Sequence, residues 1–200
     1  MPMRSVKKLS PETGLTVISL PVVFTMFIAL VGVVWLTQDV GSADIVLKNA
    51  VAIATQGASQ QFDAQGRINY SKAQAAFTCL LDQDCQLDDR LQAMPHSPFL
   101  GRADYTLAVY NGKVCDPPGI IFTYSRGLLS EEPVSQTGFP VKVTLPGGIT
   151  VNLESPGVVS EVSIRPQNLF PRKEVYSRWA ACHLVKLQGT WVVVLQGRSG

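Results

Sequence analysis

The chain has 200 residues, of which 46% are hydrophobic and 16% are charged, and its formal net charge is +2. This length supports one domain with a hydrophobic core and an additional segment. The basic residues are scattered, with no block of five or more Lys and Arg in a row. This distribution is not that of a nucleic-acid-binding protein, so we expect no nucleic-acid partner.

An uncharged segment near the N-terminus predicts a membrane anchor. Residues 15–36 read LTVISLPVVFTMFIALVGVVWL and carry no charged side chain. A helix of this length spans about 33 Å, enough for a hydrocarbon core of about 30 Å. Basic residues precede the segment (Arg4, Lys7, Lys8) and the next one is Lys48. The positive-inside rule then predicts a cytoplasmic leader over residues 1–14 and a transmembrane helix over 15–37. We expect a single-pass protein of the cell membrane, in contact with the lipid bilayer, with an extracytoplasmic C-terminal part.

A cleavable signal peptide is the alternative interpretation of the same segment. Gly41, Ser42 and Ala43 offer small residues at a cleavage site, which makes Ala43 a candidate processing position. The apolar core of a signal peptide has about 7–15 residues and is shorter than this run. The length therefore favours an anchor.

Residues 38–95 are predicted to form a helical stalk region. Between residues 43 and 62, apolar side chains recur at spacings of three and four, which indicates an amphipathic helix continuing from the anchor. This predicted apolar stripe consists of Ile45, Val46, Ala50, Ile53, Ala54, Ala58 and Phe62. A second, short helix is predicted over residues 70–82, with Asn69 or Ser71 as its N-cap.

Residues 96–200 are predicted to form a β-rich exported domain. Seven short runs alternate in the manner of strands and are separated by Gly- and Pro-containing turns. The predicted fold class is α+β. It has a long N-terminal transmembrane helix continuing into an amphipathic helix, a second short helix, and a small antiparallel β-sheet or sandwich domain.

Four cysteines follow the predicted anchor, and an even number in an exported domain favours disulfides. They are Cys79, Cys85, Cys115 and Cys182. Cys79 and Cys85 frame a short loop, LLDQD, so we expect them to pair and leave Cys115 for Cys182, although the sequence allows three connectivities. A zinc site is the alternative, but zinc sites use spacings of about two to four residues between cysteines. His183 follows Cys182 directly and would point to the opposite face of a strand. We expect no metal.

No pattern of catalytic residues stands out, and we expect neither an enzyme nor a small-molecule cofactor. The two histidines, His96 and His183, lie in a proline-bounded loop and in a strand, and no G-x-S-x-G, P-loop or G-x-G-x-x-G motif occurs. Acidic pairs at Asp82/Asp84 and Asp88/Asp89 do not match an EF-hand and are typical of a solvated loop. Several aromatic residues occupy strand positions suited to a β core or to a sugar-binding platform, namely Tyr105, Tyr110, Phe122, Tyr124, Tyr176 and Trp179.

The basic leader, the immediate apolar helix, the stretch VLKNAVAIATQGAS and the β-rich remainder together resemble TadE-like proteins. These are pseudopilin-type minor components of the tight-adherence (Flp) pilus and secretion machinery. The resembling stretch runs from Arg4 to Ala76. In that family the helix opens with Gly, followed by Glu and often by Pro. Gly14 and Pro21 match, and Gly14 becomes a second candidate processing position. Ser19 stands where the Glu would be, which favours an uncleaved anchor.

The resemblance implies a non-catalytic, membrane-anchored exported protein of the minor pilin or pseudopilin type. It also implies protein partners in a pilus or secretion assembly, bound through the N-terminal helix. Small residues such as Ala29 and Gly32 would allow close helix–helix packing. The alternative is a membrane-tethered extracytoplasmic ligand-binding module, in which the helix only anchors a binding domain.

Overall fold

A computed structural model of the protein describes residues 11–167 and 174–199, with side chains described except at residues 11–23 and 32–41. The chain divides into two units, Met1–Val40 and Gly41–Gly200. The helices are α1 (Pro11–Ser59), α2 (Tyr70–Cys85) and a single 3-10 turn at Gly112–Val114. Residues 1–10 of the predicted leader lie outside the described residues.

The second unit is built on a six-stranded antiparallel sheet in the order β3-β2-β1-β6-β7-β8, and β4 and β5 pair as a separate hairpin. The strands are β1 (Phe99–Tyr110), β2 (Gly119–Ser125), β3 (Leu128–Val134), β4 (Val141–Thr144), β5 (Thr150–Leu153), β6 (Gly157–Pro166), β7 (Tyr176–Leu187) and β8 (Thr190–Arg198).

The predicted fold class is wrong in its transmembrane helix. Among the residues that the structure describes, no helix combines the length and the apolar character needed to cross a membrane. A crossing requires about 20 consecutive apolar residues. Within α1, the uncharged stretch with described side chains covers only residues 24–31. The remainder of the predicted span, residues 15–23 and 32–37, lies outside the residues with described side chains.

The C-terminal part of α1 buries one face in the core of the second unit. The buried positions recur every three or four residues, as one face of a helix does, and are Ala43, Leu47, Ala50, Val51, Ala54 and Ala58. This face is rotated from the predicted apolar stripe: Ile45 and Ile53 are 60% and 48% exposed, and Leu47 and Val51 are buried in their place.

The two faces of the large sheet are covered by different elements. Alternate residues of the central strands, such as Leu107 and Val158, join a cluster with buried side chains of α1 and α2. The intervening residues, such as Ala108 and Val159, join a second cluster with the β4–β5 hairpin. This division follows from the two-residue period of a strand.

Two buried polar side chains tie loops to this framework. The amide of Asn111 accepts from the Ile68 N–H at 2.7 Å and donates to the Ile68 carbonyl at 2.8 Å. On the other face of the sheet, the Glu161 carboxylate accepts from the Gly147 N–H at 2.9 Å and from the Ser177 hydroxyl. Asn111 thus holds the loop before α2 at the end of β1, and Glu161 holds the turn of the β4–β5 hairpin on β6.

The predicted disulfides are absent: all four cysteines are free thiols. Helix α2 continues to Cys85, so Cys79 and Cys85 lie on one helix rather than around a loop. Their six-residue separation corresponds to a rise of about 9 Å, beyond the roughly 7 Å between Cα atoms that a disulfide can span. Cys115 follows the 3-10 turn and Cys182 is buried within β7, and these two do not pair either. The cysteines therefore give no structural support to an oxidising compartment.

Candidate interaction surfaces

A groove of about 730 Å³ lies beside α2, where that helix faces the loop that follows it and the first strands of the sheet. Three kinds of side chain line it: tyrosines of β1 and β2, polar residues of α2, and apolar residues of the loop and of β3. We call this feature the α2 groove.

Two stacked tyrosines form part of the wall of the α2 groove. The register of β1 and β2 places Tyr105 opposite Tyr124, and their ring centroids are 5.6 Å apart with an interplanar angle of 12°. Gln74 of α2 donates its side-chain N–H to the Tyr105 hydroxyl at 3.0 Å, and the Tyr124 hydroxyl donates to the Arg90 carbonyl at 2.9 Å. Burial raises the pKa of Tyr105. Both rings are therefore held in place by hydrogen bonds to the surrounding structure.

A carboxyl group stands at the polar side of the α2 groove. Burial raises the pKa of Asp82 to about 6, and the negative charges of Asp88 and Asp89 add to this effect. The Asp82 Oδ1 atom is buried and has no hydrogen-bond partner. A cationic or hydrogen-bond-donating ligand would stabilise the ionised form of this group.

The lining of the α2 groove is chemically mixed. It combines an aromatic wall, apolar side chains such as Met94 and Leu129, and a carboxyl group short of hydrogen-bond donors. Its cysteine, Cys79, is exposed, and neither histidine lies in its lining. Across the described part of the chain, no group of three or more His, Cys, Asp or Glu residues is placed to hold a metal ion.

A second candidate surface lies in the first unit. Between residues 24 and 31, α1 exposes six large apolar side chains, with exposed fractions of 41–68%. They are Phe24, Met26, Phe27, Ile28, Leu30 and Val31. We call this stretch the apolar segment of α1. Ala29, predicted to take part in helix packing, lies within it and is exposed.

The other residues singled out by the sequence are dispersed. Gly14 and Gly32 lie within α1 at positions whose side-chain environment is outside the described residues, and Ala43 is buried in the same helix. His96 is exposed in a turn, and His183 lies on β7 with its Nδ1 atom buried and unpartnered. Of the six aromatic residues, only Tyr105 and Tyr124 line the α2 groove.

Sequence reasoning missed the α2 groove as a site. Tyr105 and Tyr124 are brought together by strand pairing, and Asp82 by the packing of α2 on the sheet. The acidic pairs are the one signal in the sequence for this region, since Asp82 and Asp89 line the groove, but their pattern is typical of a solvated loop. Comparison with known proteins gives no match, whether to a family model, to a curated protein or to a solved structure.

Proposed function

We propose that this chain is a non-catalytic, pilin-like assembly subunit that binds the α1 helices of other subunits through its apolar segment. The observation that carries this proposal is the contrast along one helix. Residues 43–58 of α1 bury a face in the second unit, whereas residues 24–31 expose large apolar side chains. Two further statements remain predictions from the sequence. The first is that the chain is a TadE-like component of a pilus or secretion apparatus, and the second is that its C-terminal part is extracytoplasmic.

The energetics favour a partner for the apolar segment. Burying one large aliphatic or aromatic side chain stabilises a structure by about 1.5–3 kcal/mol relative to leaving it in water. Soluble monomers rarely expose contiguous apolar patches above a few hundred Å², and larger patches mark interaction sites. The apolar segment exposes six such side chains within eight residues of α1. Another helix suits this surface because Ala29 allows a close backbone approach.

Photo-crosslinking in the native host tests the proposal directly. A photoreactive amino acid replaces Phe27, which is 64% exposed in the apolar segment, or Ile45, which is 60% exposed in the second unit as a matched control. We expect protein adducts at Phe27 that map to the α1 helix of a second subunit, and none at Ile45. Adducts to lipid alone, or equal adducts at both positions, would contradict helix-mediated assembly.

A charge within the apolar segment should abolish the same adducts. Ala29→Asp places a carboxylate at the proposed helix–helix contact, where burial of an unpaired charge is costly. Asn49→Asp adds the same charge at an exposed position of α1 in the second unit. We expect Ala29→Asp to eliminate the Phe27 adducts and Asn49→Asp to preserve them. Unchanged crosslinking in Ala29→Asp would show that the segment does not work by helix packing.

A second candidate function, ligand binding, is favoured by the α2 groove. The stacked rings of Tyr105 and Tyr124 beside the Asp82 carboxyl suit a ligand that joins an aromatic or apolar group to a cation. Benzylamine is a simple probe of this chemistry. We expect millimolar benzylamine to shift the ring resonances of both tyrosines, and Asp82→Asn to weaken binding more than Asp84→Asn does. No shift of either tyrosine at saturating probe would rule out this function.

A further inference from the structure

The two edges of the six-stranded sheet differ in how they expose the backbone. Strands β3 and β8 are the edges, and each is joined to its neighbour by a two-residue turn with left-handed backbone, at Arg126–Gly127 and at Gln188–Gly189. In such hairpins the residues flanking the turn exchange hydrogen bonds. Starting with the residue next to the flanking one, every second residue of the edge strand therefore directs its N–H and C=O away from the sheet.

The β3 edge is protected against pairing with another strand. Ser125 and Leu128 flank its turn, so the outward-facing residues are Leu129, Glu131 and Pro133. Pro133 has no N–H to donate, and its ring occupies the edge. Glu131 and its neighbour Glu132 add charge. Proline and charged residues are the usual means by which proteins prevent edge-to-edge association.

The β8 edge lacks this protection. Leu187 and Thr190 flank its turn, so the outward-facing residues are Trp191, Val193 and Leu195. Between Thr190 and Gly197 the strand reads TWVVVLQG, with neither charge nor proline. Its aliphatic side chains are incompletely covered: Val192 and Val194 are 39% and 37% exposed, on the face opposite the helices. A long apolar edge of this kind is a template for pairing.

We propose that β8 pairs antiparallel with β8 of a second copy of this chain, about a twofold axis through Val193. This register places outward-facing residues of the two strands opposite each other, as hydrogen-bonded pairs require, and it is the one in which all three outward-facing residues take part. Val193 then meets Val193 of the second copy, and Trp191 meets Leu195. The two sheets join into one of twelve strands, and the interface uses the same surface on both copies.

Side chains in this register are self-complementary. Val192 of each copy lies opposite Val194 of the other in a non-hydrogen-bonded pair, where side chains approach most closely. Aliphatic cross-strand pairs of this kind stabilise a sheet, and no like charges face each other within Thr190–Gly197. This pairing involves only the second unit, so it is independent of the function proposed for α1.

The test is the oligomeric state of the full chain carrying Ala29→Asp, which suppresses association through α1 and so separates the two proposals. In sedimentation velocity we expect a dimer. Val192→Lys combined with Val194→Lys should give monomers, because lysines then face lysines across the axis. The corresponding pair of Glu substitutions should also give monomers, and an equimolar mixture of the two variants should restore the dimer. Ser130→Lys on the β3 edge is the matched control and should leave the dimer intact.

Amide hydrogen exchange reads out the register itself. In the dimer, the N–H groups of Trp191 and Val193 should be protected, and in the monomeric Lys variant they should exchange far faster. The Val192 N–H donates to β7 and should be protected in both. A monomer for the Ala29→Asp chain, a dimer that survives the Lys substitutions, or a mixture that stays monomeric would overturn the proposal. Circular dichroism establishes that every variant is folded.

Discussion

The hydroxyl oxygens of Thr55 on α1 and Ser160 on β6 lie 2.6 Å apart in the interior of the second unit. Thr55 also donates to the Val51 carbonyl of its own helix at 2.6 Å. Because a hydroxyl has a single proton, Ser160 must be the donor to Thr55. Both residues are fully buried. This bond joins helix and sheet at one rotational setting of α1, which apolar packing alone specifies less sharply.

Thr55→Val should therefore destabilise the protein despite its similar shape. The substitution leaves the Ser160 hydroxyl buried without its acceptor, which costs about 1–3 kcal/mol in the free energy of unfolding. Thr55→Ser keeps the hydroxyl and should cost less. Adding Ser160→Ala to Thr55→Val should cost less than the sum of the two single substitutions, because the orphaned group is removed. Urea denaturation measures all four, and strict additivity would refute the coupling.

Leu47→Ala tests which face of α1 is buried. Leu47 is 0% exposed, and truncation of a buried leucine costs about 2–5 kcal/mol in the free energy of unfolding. Ile45→Ala is the matched comparison two residues away, where the exposed side chain should contribute no more than about 0.5 kcal/mol. Thermal or urea unfolding distinguishes them. A larger loss at Ile45 than at Leu47 would place the predicted stripe, rather than the observed face, against the core.

Local features of the fold were accessible from the sequence, and features set by long-range packing were not. The run GIIFTYS corresponds to β2 and the turn Gln188–Gly189 joins two strands, because alternation and turn chemistry act over a few residues. The predicted apolar stripe includes Ile45 and Ile53, which are exposed, because hydropathy alone does not say which of two apolar faces meets the sheet. The second helix extends to Cys85, three residues beyond its predicted end at residue 82.

The candidate sites depend even more on tertiary structure. Asp82, Tyr105 and Tyr124 are far apart in the chain, and only the strand register and the position of α2 bring them into one groove. The expected Cys79–Cys85 pair failed because α2 continues through both residues. No loop forms between them, because the helix continues to Gln86, whose left-handed backbone ends it.

Asp82 predicts a specific dependence of stability on pH. Burial raises its pKa to about 6, above the ordinary value of 3.8, so the folded state holds the proton more tightly than the unfolded state. Its contribution to stability is therefore complete below about pH 4 and is lost as the pH rises through about 6. Asp82→Asn should remove this decline and stabilise the protein at neutral pH. Asp84→Asn, at an exposed position of the same helix, should leave this decline in stability unchanged. Identical profiles of stability against pH for the two variants would contradict the assignment of the decline to Asp82.

Thiol reactivity should separate Cys79 from Cys85 and Cys182. Burial raises the pKa of Cys85 to about 12 and that of Cys182 to about 11, so both remain protonated and inaccessible at pH 8. Cys79 is exposed. With iodoacetamide at pH 8, Cys79 should be alkylated first, and Cys85 and Cys182 only after unfolding in urea. Intact masses measured with and without reductant should agree; a mass increase on reduction would restore the disulfide prediction.

Gly66 and Gly101 form a natural pair for separating backbone strain from steric contact. Both have left-handed backbone, with φ of +77° and +76°. A Cβ on Gly101 would meet nothing within 4 Å, whereas one on Gly66 would lie 2.4 Å from the ring of Trp191. Gly101→Ala should cost only the left-handed penalty, about 1–2 kcal/mol. Gly66→Ala adds overpacking of about 1–3 kcal/mol and displaces the indole. Urea denaturation with tryptophan fluorescence measures both effects, and equal losses would mean that Trp191 does not pack on Gly66.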